Sequence, residues 1–257
     1  MDLKSGLLNT AAVSALMLAV YFLLERLAAF RPRPNDRRRV ALNVALTAAV
    51  FALNLLLFGA GLLIVHQLNE QGFGLAQWLD LPLVVSALLA LVVLDFATWA
   101  LHWGMHKTPL LWRLHRLHHA DAFVDVTTTL RQHPGETVLR TAVTLAAGAL
   151  LGAPIAVIAL YRSLSVLNAI FEHANFRLPR PLDRMVAYVW VTPDLHKMHH
   201  SNIASETDSN YGNLLSLFDR AFGTYTCGSG AGAVVYGLER PAAEGEGPWN
   251  RSPAPSG

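Results

Sequence analysis

LHWGMHKTPLLWRLHRLHH, residues 101–119, carries five histidines in one short run: His102, His106, His115, His118 and His119. A second run, PDLHKMHH at 193–200, adds His196, His199 and His200. Eight of the chain's eleven histidines therefore fall in two blocks. On a helix, residues three or four apart share a face. His102 and His106 have that relation. His115, His118 and His119 stand at i, i+3 and i+4, as do His196, His199 and His200, so each triplet is expected to converge on one point. Neutral imidazole is the commonest protein ligand for borderline first-row metals. One transition metal holds about four to six ligands, so eight imidazoles call for two ions. A lone histidine such as His66 is ordinarily a surface or core residue, whereas two identical HxxHH triplets beside an HxxxH form a metal-binding pattern.

The rest of the composition says where such a site would sit. The 257 residues allow one domain or two small ones. The chain is 53% hydrophobic and 15% charged, against about 25% charged in a typical soluble domain. Mean hydropathy is +0.35. This is a membrane composition. A net charge of +2 gives no global basic field and argues against nucleic acid. Cys227 is the sole cysteine, which excludes an intrachain disulfide and a thiolate site of the CxxC kind.

Apolar runs and arginines together predict a topology. Residues 6–24 and 41–65 are each long enough to span a bilayer. No A-x-A cleavage pattern follows the first run, so it reads as a retained anchor. Between the two lies ERLAAFRPRPNDRRRV, residues 25–40, with six arginines against two acids; the positive-inside rule makes it cytoplasmic. Loop 66–80 lacks Lys and Arg, as befits the opposite side. Residues 83–101 return, and their helix is expected to run on to His106. Residues 119–136 read as a polar loop over the site. Residues 138–170 are apolar but interrupted at Gly152-Ala153-Pro154. A single crossing there would strand the second triplet across the bilayer from the first, so a hairpin is expected, its turn near 152–154 and its non-helical backbone protected by neighbouring helices. Residues 241–257, rich in Gly, Pro, Ala and Ser, read as a disordered tail.

Five ordered segments resemble the fatty acid hydroxylase superfamily, also called the sterol desaturase family. DFATWALHWGMH (95–106) is similar to that family's D-F-x-x-Y-W-x-H-R-x-x-H. LWRLHRLHHADAFVDVTTTLRQHPGE (111–136) resembles its H-x-x-H-H block with the T-x-x-R-x-H-P-x-E that follows. FEHANFRLP matches its lone-histidine segment. TPDLHKMHHS and NYGNLLSLFDRAFGT resemble its last H-x-x-H-H block and closing N-Y-G…D-R-x-F-G-T. The resemblance covers about residues 90–226. Trp103 departs from it, standing where the family has Arg. Ala169 and Arg177 depart too, where some relatives place a second histidine near His173; Asn175 or His133 is left to fill that gap.

The resemblance implies an all-α integral membrane protein with about four transmembrane helices, the last pair a hairpin. A cytosolic helical cap would hold a histidine-rich dimetal site. The expected divisions are transmembrane helices in 1–80, the hydroxylase-like domain in 81–226 and a tail in 227–257. The implied cofactor is two Fe ions, with His102, His106, His115, His118, His119, His173, His196, His199 and His200 as ligands. His133 is either a further ligand or a loop-packing residue. The implied activity is O2-dependent hydroxylation or desaturation of a lipid. Attack on an unactivated C–H bond needs a redox-active metal, which iron is and zinc is not. No flavin, haem or Fe–S motif appears, so a separate ferredoxin- or cytochrome-like donor is required. The competing function is a metal-binding membrane protein without oxygenase activity, such as a zinc hydrolase or metal handler.

An all-imidazole centre is strongly cationic, and Asp95, Glu136, Glu172, Asp194 and Asp208 are candidates to accept hydrogen bonds from the far ring nitrogens. Asp95, at i−7 from His102, either does this or takes N–H and hydroxyl donors inside the bundle. Trp99, Trp103, Trp112 and Trp190 suit a membrane interface. Asn210, Tyr211 and Asp219 are read as builders of the cap.

Overall fold

Asp36 starts the longest helix by accepting the Arg39 N–H at 2.9 Å. The apolar run behind it then continues far past one bilayer's worth of residues. In this computed structural model the described residues are 3–27, 29–227 and 234–238, without the side chains of 3–12 and 14. They form α1 (Leu3–Leu27), α2 (Arg37–Glu70), α3 (Leu75–Trp78), α4 (Leu83–Lys107), α5 (Pro109–His119), α6 (Pro134–Leu151), α7 (Ile155–His173), α8 (Arg180–Val186), α9 (Pro193–His199), α10 (Ala204–Thr207) and α11 (Leu217–Ala221). No strand occurs among them beyond two isolated bridges. The loop expected over 119–136 contains a 3-10 turn at Val126–Thr128, and α6 already begins at Pro134. Proline fits that first helical position because its missing N–H would have no partner there.

Three stretches, Arg37–Trp78, Leu83–Lys107 and Ile155–His173, are long and apolar enough to cross a membrane. The expected first crossing lies on α1, much of whose side-chain detail is outside the described residues. Polarity runs opposite to that of a water-soluble bundle. Leu56, Ile64, Leu83, Val84 and Leu88 are exposed, while Asn43, Asp95, Thr98, Thr141, Ser165 and Asn168 are buried. An outer surface this apolar fits a lipid solvent. The polar groups inside need partners, because the hydrocarbon offers none.

α6 packs against α2 and α4, and α7 against α1 and α4. The turn between α6 and α7 falls at 152–154, as the sequence predicts. Gly152 has φ 70° and Gly74 φ 121°. A Cβ on Gly74 would lie 2.4 Å from the Gly152 Cα, so the two backbones meet closely only as glycines. Gln77 donates to the Gly152 carbonyl at 3.1 Å and Asn69 to the Ala153 carbonyl at 2.9 Å, which satisfies the turn's exposed backbone.

α7 therefore returns to the end of the bundle where α4 finishes. The arginine-rich loop lies at that same end. Arg39 pairs with Asp121 and Asp125, Arg33 with Asp125, and the Arg31 N–H with the Asn175 side chain. Of the expected tail, residues 234–238 fold back, with Val234 and Tyr236 packed on Val124 and Met198. Residues 241–257 lie outside the described residues.

Candidate metal centre

Nine histidines gather at this end from four helices. α4 supplies His102 and His106 in its last turns, α5 supplies His115, His118 and His119, and α7 ends on His173. α9 carries His196 and His199, with His200 just beyond. Thr108 is extended and Pro109 opens α5, so the chain turns sharply and lays α5 back against α4. All nine rings are buried.

They form two groups. His102, His106, His115, His119 and His199 make one; His118, His173, His196 and His200 make the other. Within each group the ligand atoms lie within 4.8 Å of one another. Convergence of each triplet on one point is thus corrected. α5 sends His115 and His119 to the first group and His118 to the second; α9 sends His196 and His200 to the second and His199 to the first. Residues at i+3 and i+4 differ by about 100° around a helix, so both cannot face one centre once the helix is wedged between two.

Hydrogen bonds fix the ring orientations. Nδ1 of His102 donates to the Tyr211 carbonyl at 2.9 Å, and that of His199 to the Ser209 carbonyl at 2.7 Å. Nδ1 of His173 donates to the Ala169 carbonyl at 2.7 Å, and that of His118 to the Arg131 carbonyl at 3.3 Å. His115 donates from Nδ1 to Glu136 Oε1 at 2.9 Å, and His106 Nδ1 lies 3.4 Å from Asp208 Oδ1. An Nδ1–H assigned to an acceptor leaves Nε2 as a bare lone pair.

Those lone pairs then face each other. Nε2 of His102 and His115 are 3.0 Å apart in the first group, as are Nε2 of His118 and His173 in the second. Neither pair has a proton to share. Protonation is also disfavoured: burial first, and neighbouring imidazoles next, push His118, His119, His196 and His200 well below the usual histidine range. Buried Nε2 atoms of His106 and His199 have no hydrogen-bond partner. Opposed lone pairs at this distance repel unless a cation lies among them, so the donor set fits a metal in each group.

Of the five acids proposed to support the rings, Glu136 and Asp208 touch them in that way. Glu172 accepts the Asn168 amide at 3.0 Å and stands 3.7 Å from His196 Nε2. Asp95 does not reach a histidine. It accepts the Leu214 and Leu215 N–H groups at 3.1 and 3.0 Å and the Tyr161 hydroxyl at 3.1 Å, its alternative role inside the bundle. Asp194 pairs with Arg177 instead. His133 stands outside both groups and caps α6, its Nδ1 accepting the Gly135 N–H at 3.0 Å. Asn175 is also elsewhere, donating to the Arg31 carbonyl.

Two further supports hold the site, and the first of them escaped sequence reasoning. Lys197, fully buried between His196 and Met198, donates to the Ala174 and Phe176 carbonyls at 2.6 and 3.1 Å, tying α9 to the segment after His173. Burial lowers it to about 7. The second support is the NYG loop. Asp219 accepts the Tyr211 and Gly212 N–H groups, both at 2.8 Å, and the Trp99 indole at 3.0 Å. Asp95 holds the same loop from the other side, and its carbonyls in turn hold His102 and His199. Asn210, at φ 53°, bonds Thr226 through both ends of its amide. Asn210, Tyr211 and Asp219 thus build the cap, as read from sequence. Trp112 lies against His106, ring centres 5.0 Å apart, while Trp103 is exposed.

A cavity of about 70 Å³ between α4, α6 and α7 is bordered by His102, His118, His173 and His196. One histidine of the first group and three of the second thus face it.

Comparison with known proteins agrees with this geometry. The sequence model described as Fatty acid hydroxylase matches residues 87–224. Ornithine lipid hydroxylase of Rhizobium tropici is 32% identical over 150 residues, 58% of this chain and 43% of that protein. Human alkylglycerol monooxygenase is 28% identical over 155 residues, 59% of this chain and 33% of its own length. Methylsterol monooxygenase 2-2 of Arabidopsis thaliana is 25% identical over 155 residues, 60% of this chain and 57% of its own. The matched stretch thus spans less than two thirds of each relative. No solved structure matches. The family match covers more than half of the chain and contains all nine converging histidines, and the chain belongs to the fatty acid hydroxylase family.

Proposed function

We propose that this protein is a membrane-bound di-iron oxygenase that hydroxylates or desaturates a lipid. The observation that carries the reading is the pair of imidazole groups, five and four strong, whose Nε2 lone pairs are turned inward beside a cavity among apolar helices. Two irons held by His102, His106, His115, His119 and His199, and by His118, His173, His196 and His200, would supply the redox capacity to activate O2 against a C–H bond. Hydroxylation consumes O2, two electrons and two protons, and yields an alcohol and water. The electrons come from a separate ferredoxin- or cytochrome-like donor. Residues 1–80 serve as membrane anchor and 81–226 as the catalytic domain. Arginines 31–39 sit at the histidine end, which favours a site on the cytoplasmic face.

The chain's own residues do three things here. Backbone carbonyls and Glu136 hold His102, His115, His118, His173 and His199 in the ligating tautomer. The buried helix ends keep bulk water from the rings. The cavity bordered by α4, α6 and α7 admits the substrate.

Lipid extracts of cells with and without the protein, compared by mass spectrometry, test the reading. A lipid heavier by one oxygen, or lighter by two hydrogens, is expected. Purified protein holding zinc, consuming no O2 and altering no lipid overturns it. Glu136→Gln keeps an acceptor for His115 but removes the charge, so iron affinity should fall about tenfold; Glu136→Ala should approach a hundredfold. Chelator competition reads both.

A further inference from the structure

Arg162 lies near the middle of α7, within a membrane-crossing segment, where an arginine is costly and ordinarily functional. Among the described residues its bonded partner is a neutral one, the Asn54 carbonyl oxygen at 3.0 Å from Nη2. That oxygen is shared with the Thr141 hydroxyl. Arg140, from α6, lines the same cavity as Arg162, which brings two guanidinium groups to one space. Glu136 takes the Arg140 Nε–H at 2.7 Å, and Glu172 takes the Asn168 amide. Neither carboxylate pairs with Arg162.

A second, apolar cleft of about 370 Å³ lies between α1, α2 and α7. Leu18, Val44, Phe51, Leu55, Phe58 and Ile170 line it. Val44, Phe51 and Leu55 are exposed on the outer apolar surface, so the cleft opens sideways toward lipid. Asn54, Leu130, Arg162 and Val166 line both this cleft and the histidine-bordered cavity. An apolar cleft that ends at Arg162, with Arg140 lining the adjoining cavity, has the chemistry of an amphiphile site. Arginine forks match carboxylate and phosphate oxygens in geometry and charge.

We propose that the substrate is an anionic lipid whose carboxylate or phosphate sits between Arg162 and Arg140, with its hydrocarbon chain in the cleft between α1, α2 and α7. This rests on the reading of the protein as a lipid-oxidising enzyme and narrows it. The bond attacked then lies within a few carbons of the anionic group, because the cavity holding that group is the one the histidines border.

Binding to the purified, metal-loaded protein in neutral detergent tests this without turnover. The probes are oleate, oleyl phosphate and oleyl alcohol, which share one chain. A charge-assisted hydrogen bond predicts roughly ten- to hundredfold tighter binding of an anion than of the alcohol. The better anion names the headgroup: oleate for a carboxylate lipid, oleyl phosphate for a phospholipid. Arg162→Met should abolish the preference and Arg162→Lys should retain much of it. Equal affinity of wild-type protein for all three probes overturns the proposal even if neither variant folds. An unchanged preference in a folded Arg162→Met also overturns it. An iron-loaded, O2-consuming protein without anion preference refutes the anion site alone. A zinc-loaded, inactive protein refutes the oxygenase and still reports on the anion site.

Discussion

His118→Ala and His199→Ala each lose bound metal and activity together. The His118 variant loses more, because its group falls from four imidazoles to three, while His199→Ala leaves four in a group of five. The activity loss exceeds the roughly 10–100-fold cost of removing a partner that only supports a ligand. Metal content by plasma emission spectroscopy, beside activity and a far-ultraviolet spectrum, is the measurement. Full metal in both variants, with the fold intact, would remove these residues from the ligand set. The two substitutions also separate the groups: each should empty one ion more than the other. The count of residual metal then reports whether the two positions fill independently or as a unit.

The second large effect is expected at Asp219, which touches no histidine. Asp219→Ala strands the Tyr211 and Gly212 N–H groups and the Trp99 indole, all buried. Each stranded donor costs about 1–3 kcal/mol, so a loss on the order of 4 kcal/mol follows once some relaxation is allowed. That is a large part of a typical stability of about 5–15 kcal/mol. The same substitution frees the Tyr211 carbonyl from its fixed place and so loosens His102. Asp219→Asn, which keeps one acceptor, should fall between. Thermal melting in detergent, with and without metal, checks both variants. A melting point unchanged by Asp219→Ala would show that the NYG loop is held by other contacts.

Much of this was legible because two devices are local. Helical spacing put His102 with His106 on one face, and the Gly152-Ala153-Pro154 break marked the turn that brings His173 home. Segment order and the resemblance pointed to His173 itself, which no spacing rule would single out. What spacing could not say was how α5 and α9 wedge between two centres. The division of each HxxHH depends on the approach angle of the two helices. Nor could it tell apart acids with similar surroundings in sequence. Glu136 reaches His115 because α6 already begins at Pro134, within the stretch expected to be loop, and carries Glu136 in its first turn, whereas Asp194 is drawn away by Arg177. Nothing in the sequence marks Lys197, a charge within a histidine run, as buried. Only the packing of α9 against the end of α7 shows that it is buried.

The clamp on the NYG loop also bears on biosynthesis. His102 is among the first of the nine to leave the ribosome, yet the carbonyl that aims it belongs to Tyr211, and the carboxylate that steadies Tyr211 belongs to Asp219. A nascent chain ending between His200 and Tyr211 holds all nine imidazoles with none of this restraint on His102. Metal capture with the finished geometry is therefore a late event in the life of the polypeptide, and premature termination just past His200 should yield a membrane-inserted product that loads metal poorly.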